Sequence, residues 1–366
     1  VDVKLAARFL DNVVDVNKYP MKEIEEMTLN TRKIGLGVMG VGDLLYELEI
    51  PYNSNNGLKF MEKLMEFVGY HSKVASVELA QERGKMPFFD KSFYKEGKLP
   101  FSGFKDKKSW HFDWSALAKK IKRCGIRNGF STVIAPTGSI SMIAGCSSGI
   151  EPIFSLVFEK NVTIGSFYYI DPVFEEKMRK EVLMDEDLIK DAAALGGSVK
   201  NIAYIPEYVK KVFVTAMDIA PVDHVKVLSV FQKWVDSSIS KTNNFPSDAT
   251  VDDIKKVYLL AYETGCKGVT VYRDKSIKSQ VLVGGGKKKT KEKEPSAEIS
   301  IVKDEKAKGL AIYSEAGANL NGGLGLSPAA SFNSGNGFKN CPSCSSQLVK
   351  QEGCTKCLTC GWGLCS

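Results

Sequence analysis

The 366-residue chain contains no apolar run approaching the ~20 residues a membrane-spanning helix needs, which excludes such a helix within it. Cysteine is nearly absent from the body of the chain. Cys124, Cys146 and Cys266 are scattered, whereas Cys341, Cys344, Cys354, Cys357, Cys360 and Cys365 crowd into the C-terminus. A secreted disulfide scaffold would spread its pairs through a short chain. Terminal crowding points instead to a metal site or redox tail in a reducing cytoplasm. The three scattered thiols read as small packed residues. Histidine is scarce as well: His71 and His111 stand in no constellation, and His224, just after Pro221, reads as a helix cap or surface residue. No signal peptide is visible. Val1-Asp2-Val3-Lys4 leads straight into an amphipathic pattern, and a start at Val rather than Met reads as a fragment. No internal repeat of solenoid length is present.

What is there suits a soluble α/β protein, with 43% hydrophobic and 25% charged residues. The net charge of +7 sits largely in Lys287-Lys288-Lys289-Thr290-Lys291-Glu292-Lys293, which reads as a solvated linker rather than a nucleic-acid face. Residues 1–280 alternate helical and strand-like patterns. Apolar spacing predicts helices from Leu5 to Val13, Gly57 to Gly84, Asp113 to Lys122, Val222 to Ile239 and Thr250 to Glu263. Strands are expected at Ser131–Ala135, Val212–Ala216 and Gly268–Tyr272. Such alternation argues for an α/β fold with mainly parallel strands. Composition changes at Gly284. Residues 281–337 read as a flexible Gly/Lys-rich linker, and 338–366 as a compact cysteine module.

Two glycine turns compete as phosphate sites. Gly35-Leu36-Gly37-Val38-Met39-Gly40 matches the dinucleotide fingerprint, but polar, helical residues Glu23 to Lys33 precede it where a buried strand is required. A tight turn with close packing is the better reading. A nicotinamide-dependent dehydrogenase would also need an acidic residue ending a second strand about 20 residues on, where the pattern is helical. The second turn is Pro136-Thr137-Gly138-Ser139-Ile140-Ser141, which follows a buried strand pattern. Its hydroxyls and backbone N–H groups suit a phosphate.

In the tail, Cys341-Pro-Ser-Cys344 and Cys357-Leu-Thr-Cys360 form two C-x-x-C knuckles. Four thiolates satisfy tetrahedral zinc, which would supply folding energy to a module with little apolar core. Cys341, Cys344, Cys357 and Cys360 are the favoured ligands, leaving Cys354 and Cys365. Alternatively Cys354 and Cys357 form the second knuckle, leaving Cys360 and Cys365. A zinc-ribbon nucleic-acid-binding protein is a rival reading, but the ribbon offers only Trp362, Lys350 and Lys356 for it, and it leaves the α/β body unexplained.

The stretch from Arg127-Asn128 through Pro136-Thr137-Gly138-Ser139-Ile140-Ser141 to Ser148-Gly149-Ile150-Glu151-Pro152 strongly resembles the large subunit of ribonucleotide reductases. So do Thr31–Gly40, Phe231–Asp236 with Ser240-Lys241-Thr242, and Lys267–Arg273, in the family's order. The resemblance implies roughly the second half of a ten-stranded α/β barrel, with Pro136–Ser141 holding the substrate diphosphate. It also implies reduction of ribonucleotides to 2′-deoxyribonucleotides by thiyl-radical chemistry, a homodimer when full length, and a thioredoxin- or glutaredoxin-like reductant. Relatives that import a radical carry two adjacent tyrosines on the last strand. Here that position reads Val271-Tyr272, which favours the adenosylcobalamin-dependent class and leaves Tyr272 a packed strand residue. The family's Asn-x-Cys-x-Glu radical cysteine is absent, so this polypeptide alone is expected to be inactive. A mobile dithiol at the C-terminus would restore the family's oxidised active-site cysteines. The leftover pair, Cys354 with Cys365 or Cys360 with Cys365, is the candidate, carried on a tether spanning roughly 40 Å if Gly284–Asn340 behaves as a Gly-rich coil. No membrane or nucleic-acid partner is expected.

Overall fold

The computed structural model describes residues 1–162 and 165–276, and beyond them 300–302, 311–314, 348–351, 354–357 and 363–365. Eleven α-helices occur among the described residues: α1 (Asp2–Val16), α2 (Lys22–Thr31), α3 (Val41–Glu47), α4 (Asn55–Arg83), α5 (Trp114–Cys124), α6 (Gly138–Ala144), α7 (Pro172–Lys180), α8 (Glu186–Ala194), α9 (Glu207–Val212), α10 (Pro221–Gln232) and α11 (Val251–Glu263). The strands are β1 (Val157–Val162), β2 (Gly165–Ile170), β3 (Thr242–Phe245), β4 (Thr270–Arg273), β5 (Ser300–Val302), β6 (Ala311–Ser314), β7 (Leu348–Gln351), β8 (Cys354–Cys357) and β9 (Gly363–Cys365).

Parallel pairing organises the first part of the chain. Leu36 bridges Thr132, Ile134 bridges Ile239, and β3 pairs with β4 from Thr242↔Thr270 to Phe245↔Arg273, all parallel. The linking bonds run Leu36 N to Ser131 O at 2.8 Å, Val133 N to Leu36 O at 3.0 Å, and Ser240 N to Ile134 O at 2.9 Å. Four segments thus lie side by side in chain order, with α4 and α5 between the first two and α11 between the last two. Parallel neighbours need such crossover connections.

Local chemistry explains the boundaries. Ser54 caps α4 by accepting from Gly57 N, Asp113 caps α5, and Thr250 with Asp253 forms a reciprocal capping box on α11. Helix α10 stops at Gln232, short of the expected Ile239. The chain turns there because the Asp236 carboxylate accepts from the Ser131 and Thr132 amides, at 2.5 and 3.3 Å, drawing 237–240 alongside 132–134. The expected strand at Val212–Ala216 is instead the end of α9 and a turn. Val209, Val212 and Phe213 are buried at i, i+3 and i+4, a helical face that a short apolar run does not reveal.

One core lies under α4, α5 and α10, where Trp114 and Trp234 stack at 5.6 Å. A second gathers Leu156, Val157, Ile170, Phe174 and Phe213 around α7, α8 and α9. Its hairpin, β1 with β2, was not anticipated from sequence, and β2 also pairs antiparallel with β6, which pairs with β5. The tract expected to be a linker therefore contributes two strands. By contacts the chain divides into units Val1–Gly317 and Ala318–Ser366. In the second, β7, β8 and β9 form an antiparallel sheet that sets Cys354 opposite Cys365 and Cys357 opposite Leu348. Cys341, Cys344 and Cys360 lie outside the described residues. No helix among the described residues is long and apolar enough to cross a membrane.

Candidate functional site

The chain leaves the segment around Ile134 at the carboxyl end of the parallel array and enters the turn Pro136–Ser141. Ligands of α/β folds gather at such ends. Thr137 adopts φ 52°, which a β-branched residue rarely does, and its Oγ1 accepts from Gly149 N at 2.7 Å. That hydroxyl makes no cap for α6, so the first-turn amides of Gly138, Ser139 and Ile140 have no side-chain cap from Thr137. Pro136, Gly138, Ser139 and Ile140 are exposed, and nothing lies within 4 Å of where a Cβ on Gly138 would sit. Ser141 is buried and fixes the turn from behind. Its Oγ lies 2.9 Å from Ser148 Oγ, and its carbonyl accepts from Cys146 N at 3.0 Å.

Beside this turn opens a cavity of about 750 Å³, lined among others by Ser141, Cys146, Ser147, Ser148, Glu151 and Phe158 and by Thr242, Asn244, Thr270 and Tyr272. The last four alternate along β3 and β4 and so share one face. Phe245 packs instead against Val225, Val257 and Ala261 of the helices behind, and Val271 packs against the same cluster while also touching the cavity. The volume lies within the usual range for a small-molecule site. Tyr272, expected to be packed in the sheet, lines this cavity, as does half-buried Cys146 rather than joining a core. Burial raises the Cys146 thiol's pKa, and the nearby Asp43 carboxylate adds to this, so it is held protonated.

Behind the cavity wall lies a polar chain. Lys241, wholly buried, donates to Glu151 Oε2 at 2.7 Å, to His224 Nδ1 at 3.0 Å and to Thr242 O at 2.9 Å. His224 is buried within α10, not on the surface as expected, and its Nε2 donates to Ala216 O at 3.0 Å. Burial, with the Lys241 cation beside it, pushes the imidazole down to about 3, so it is neutral and accepts at Nδ1. Burial also lowers the Lys241 pKa, and Glu151 opposes that shift. No spacing rule would have joined residues 151, 224 and 241; only the fold brings them together.

The other glycine turn is filled. A Cβ on Gly37 would lie 2.2 Å from Val133 O, and one on Gly35 2.5 Å from Val133 Cγ1. The amino end of α3 is occupied by the 146–149 loop: Gly40 N donates to Ser147 O, Gly42 N to Ser147 Oγ, and Asp43 accepts from Ser147 N. Its glycines serve close packing, with no room left for a pyrophosphate.

Residues 2–272 match the family described as ribonucleotide reductase, barrel domain. The chain belongs to that family. It is 46% identical over 293 residues to a vitamin B12-dependent ribonucleoside-diphosphate reductase of Thermoplasma acidophilum, a match covering 79% of this chain and 34% of the relative. A like-named protein of Mycobacterium tuberculosis is 37% identical over 279 residues, covering 76% and 36%. A ribonucleoside-diphosphate reductase subunit alpha of Chlamydia pneumoniae is 32% identical over 289 residues, covering 76% and 28%. The chain thus spans about a third of the length of the curated relatives it matches.

Proposed function

We propose that this chain is the C-terminal part of an adenosylcobalamin-dependent ribonucleoside-diphosphate reductase, contributing half of a ten-stranded barrel wall. The observation that carries the reading is the open Pro136–Ser141 turn at the carboxyl end of the parallel array, next to a nucleotide-sized cavity. Its amides and the Ser139 hydroxyl would take the substrate diphosphate. The names of the B12-dependent relatives support the cobalamin assignment. Val271 fits it too: an aliphatic side chain packed against the α10–α11 cluster offers no second tyrosine beside Tyr272 for a relay. When bound, the cofactor supplies the radical. The exposed apolar rim, Met142 and Phe158 among it, would face so large a group. The radical cysteine would come from the remainder of the enzyme.

In the tail, Cys341, Cys344, Cys357 and Cys360 would bind zinc and Cys354 with Cys365 would be the regenerating dithiol. Cross-strand partners sit within the Cα separation a disulfide requires, which favours this pair over Cys360 with Cys365. A thioredoxin- or glutaredoxin-like protein would reduce it, with the part of the expected linker that follows β6 as tether and the complete enzyme a homodimer of the cytoplasm.

The test is reduction of a ribonucleoside diphosphate by the enzyme completed with the family's remaining two thirds, with adenosylcobalamin present. Gly138→Asp places a carboxylate in open space where the diphosphate would sit, and is expected to raise KM more than about tenfold with the fold intact. Cys354→Ser should abolish turnover with thioredoxin while sparing turnover with dithiothreitol. An unchanged KM in Gly138→Asp would refute the assignment of the turn.

A further inference from the structure

Among the residues lining the 750 Å³ cavity, Glu151 is the one that carries a charge. A carboxylate is an odd neighbour for a site that takes an anion, and its surroundings show that it is held there deliberately. Its side chain is 25% exposed, toward the cavity, while Lys241 behind it is wholly buried. All three ammonium protons of Lys241 are committed, to Glu151, His224 and the Thr242 carbonyl, so the cation cannot swing away to meet a ligand phosphate. Neutral His224, anchored on Ala216 O, closes the back of the chain.

If Glu151 served only to pin β3, its two bonds would account for it: Oε1 accepts from Thr242 N at 2.6 Å and Oε2 from Lys241. Each carboxylate oxygen can take two donors, however, so acceptor positions remain on a side chain open to the cavity. Burying a lysine solely to hold one strand amide would be costly when an uncharged acceptor could do so. We infer that Glu151 is a ligand-contacting residue, fixed from behind by Lys241 and His224, and that it accepts hydrogen bonds from the hydroxyl or amino groups of the nucleoside part of the ligand. This rests on the reading that Pro136–Ser141 holds the diphosphate. Ser141 and Ser148 tie that turn to the loop carrying Glu151, so an anion at one and a donor-rich nucleoside at the other fit one extended ligand.

The experiment is calorimetric titration of the 366-residue chain with inorganic pyrophosphate, cytidine diphosphate and cytidine. The unaltered chain should bind cytidine diphosphate more tightly than pyrophosphate. Glu151→Gln should erase that gain, a loss of about tenfold or more, while pyrophosphate affinity stays as it was. Should Glu151→Gln fail to fold, Glu151→Gln/Lys241→Met removes both charges and must show the same loss. Retention of the nucleoside gain in a folded variant lacking the carboxylate overturns the inference, as does absence of any gain in the unaltered chain. If pyrophosphate fails to bind while cytidine binding depends on Glu151, the inference stands and the diphosphate reading of the turn falls.

Discussion

Two lysines are wholly buried among the described residues, and they teach different lessons. Lys73 on α4 donates to Asp236 at 2.6 Å, Tyr94 at 2.9 Å and Ser131 at 3.1 Å, with both members of the ion pair sealed from solvent. Lys241 has an equally complete set of partners, but its carboxylate opens onto a cavity. The first pair joins α4 to the parallel array and to the turn after α10. The second could have done similar work and instead spends an anion on a surface a ligand can reach. Exposure of one partner, not the strength of the pair, separates scaffold from site.

The largest effect is expected at Lys73. Lys73→Met leaves the Asp236 charge buried without its cation, and a loss of about 3–5 kcal/mol is expected, read as a fall in the urea midpoint. Ligand binding in the surviving folded fraction should be unaffected.

Titration separates the regions next. His224, depressed to about 3, is neutral when folded and takes a proton when unfolded, so it makes stability fall as pH drops from about 6.5 toward 3. Asp171, which caps α7, is pushed up to about 6 by burial, with Asp43 adding to it. It therefore acts oppositely: its contribution is full below about 4 and is lost as pH rises through 6. The first is worth on the order of 5 kcal/mol and the second on the order of 3. Asp171→Asn should steepen the acid loss of stability and His224→Gln should flatten it. Denaturant titrations between pH 4 and 7 that show the same slope in both variants would contradict these assignments.

The two glycine turns give the smallest effects. Gly37→Ala drives a Cβ into Val133 O and should cost about 1–3 kcal/mol. Gly138→Ala meets nothing and should stay within about 0.5 kcal/mol, measured by thermal melting.

These turns also mark what was legible in the sequence. Both read as glycine loops, and the polar helix before Gly35 argued rightly against a dinucleotide site, since α2 stands there. The long helices were readable because periodicity and caps such as Asp113 and Thr250 are local signals. The hairpin of β1 and β2 was not, because register depends on partners far along the chain. Neither was the setting of His224: a histidine after Pro221 suggests a cap, and only the approach of residues 216 and 241 makes it a buried acceptor.

Thr137 carries a consequence of its own. A threonine at φ 52° holds strain of about 1–3 kcal/mol, met here by its hydroxyl bond to Gly149. The loop is therefore wound before any guest arrives, and occupancy need not repay the entropy of ordering it. Relaxing that residue to glycine would ease the fold and slacken the grip.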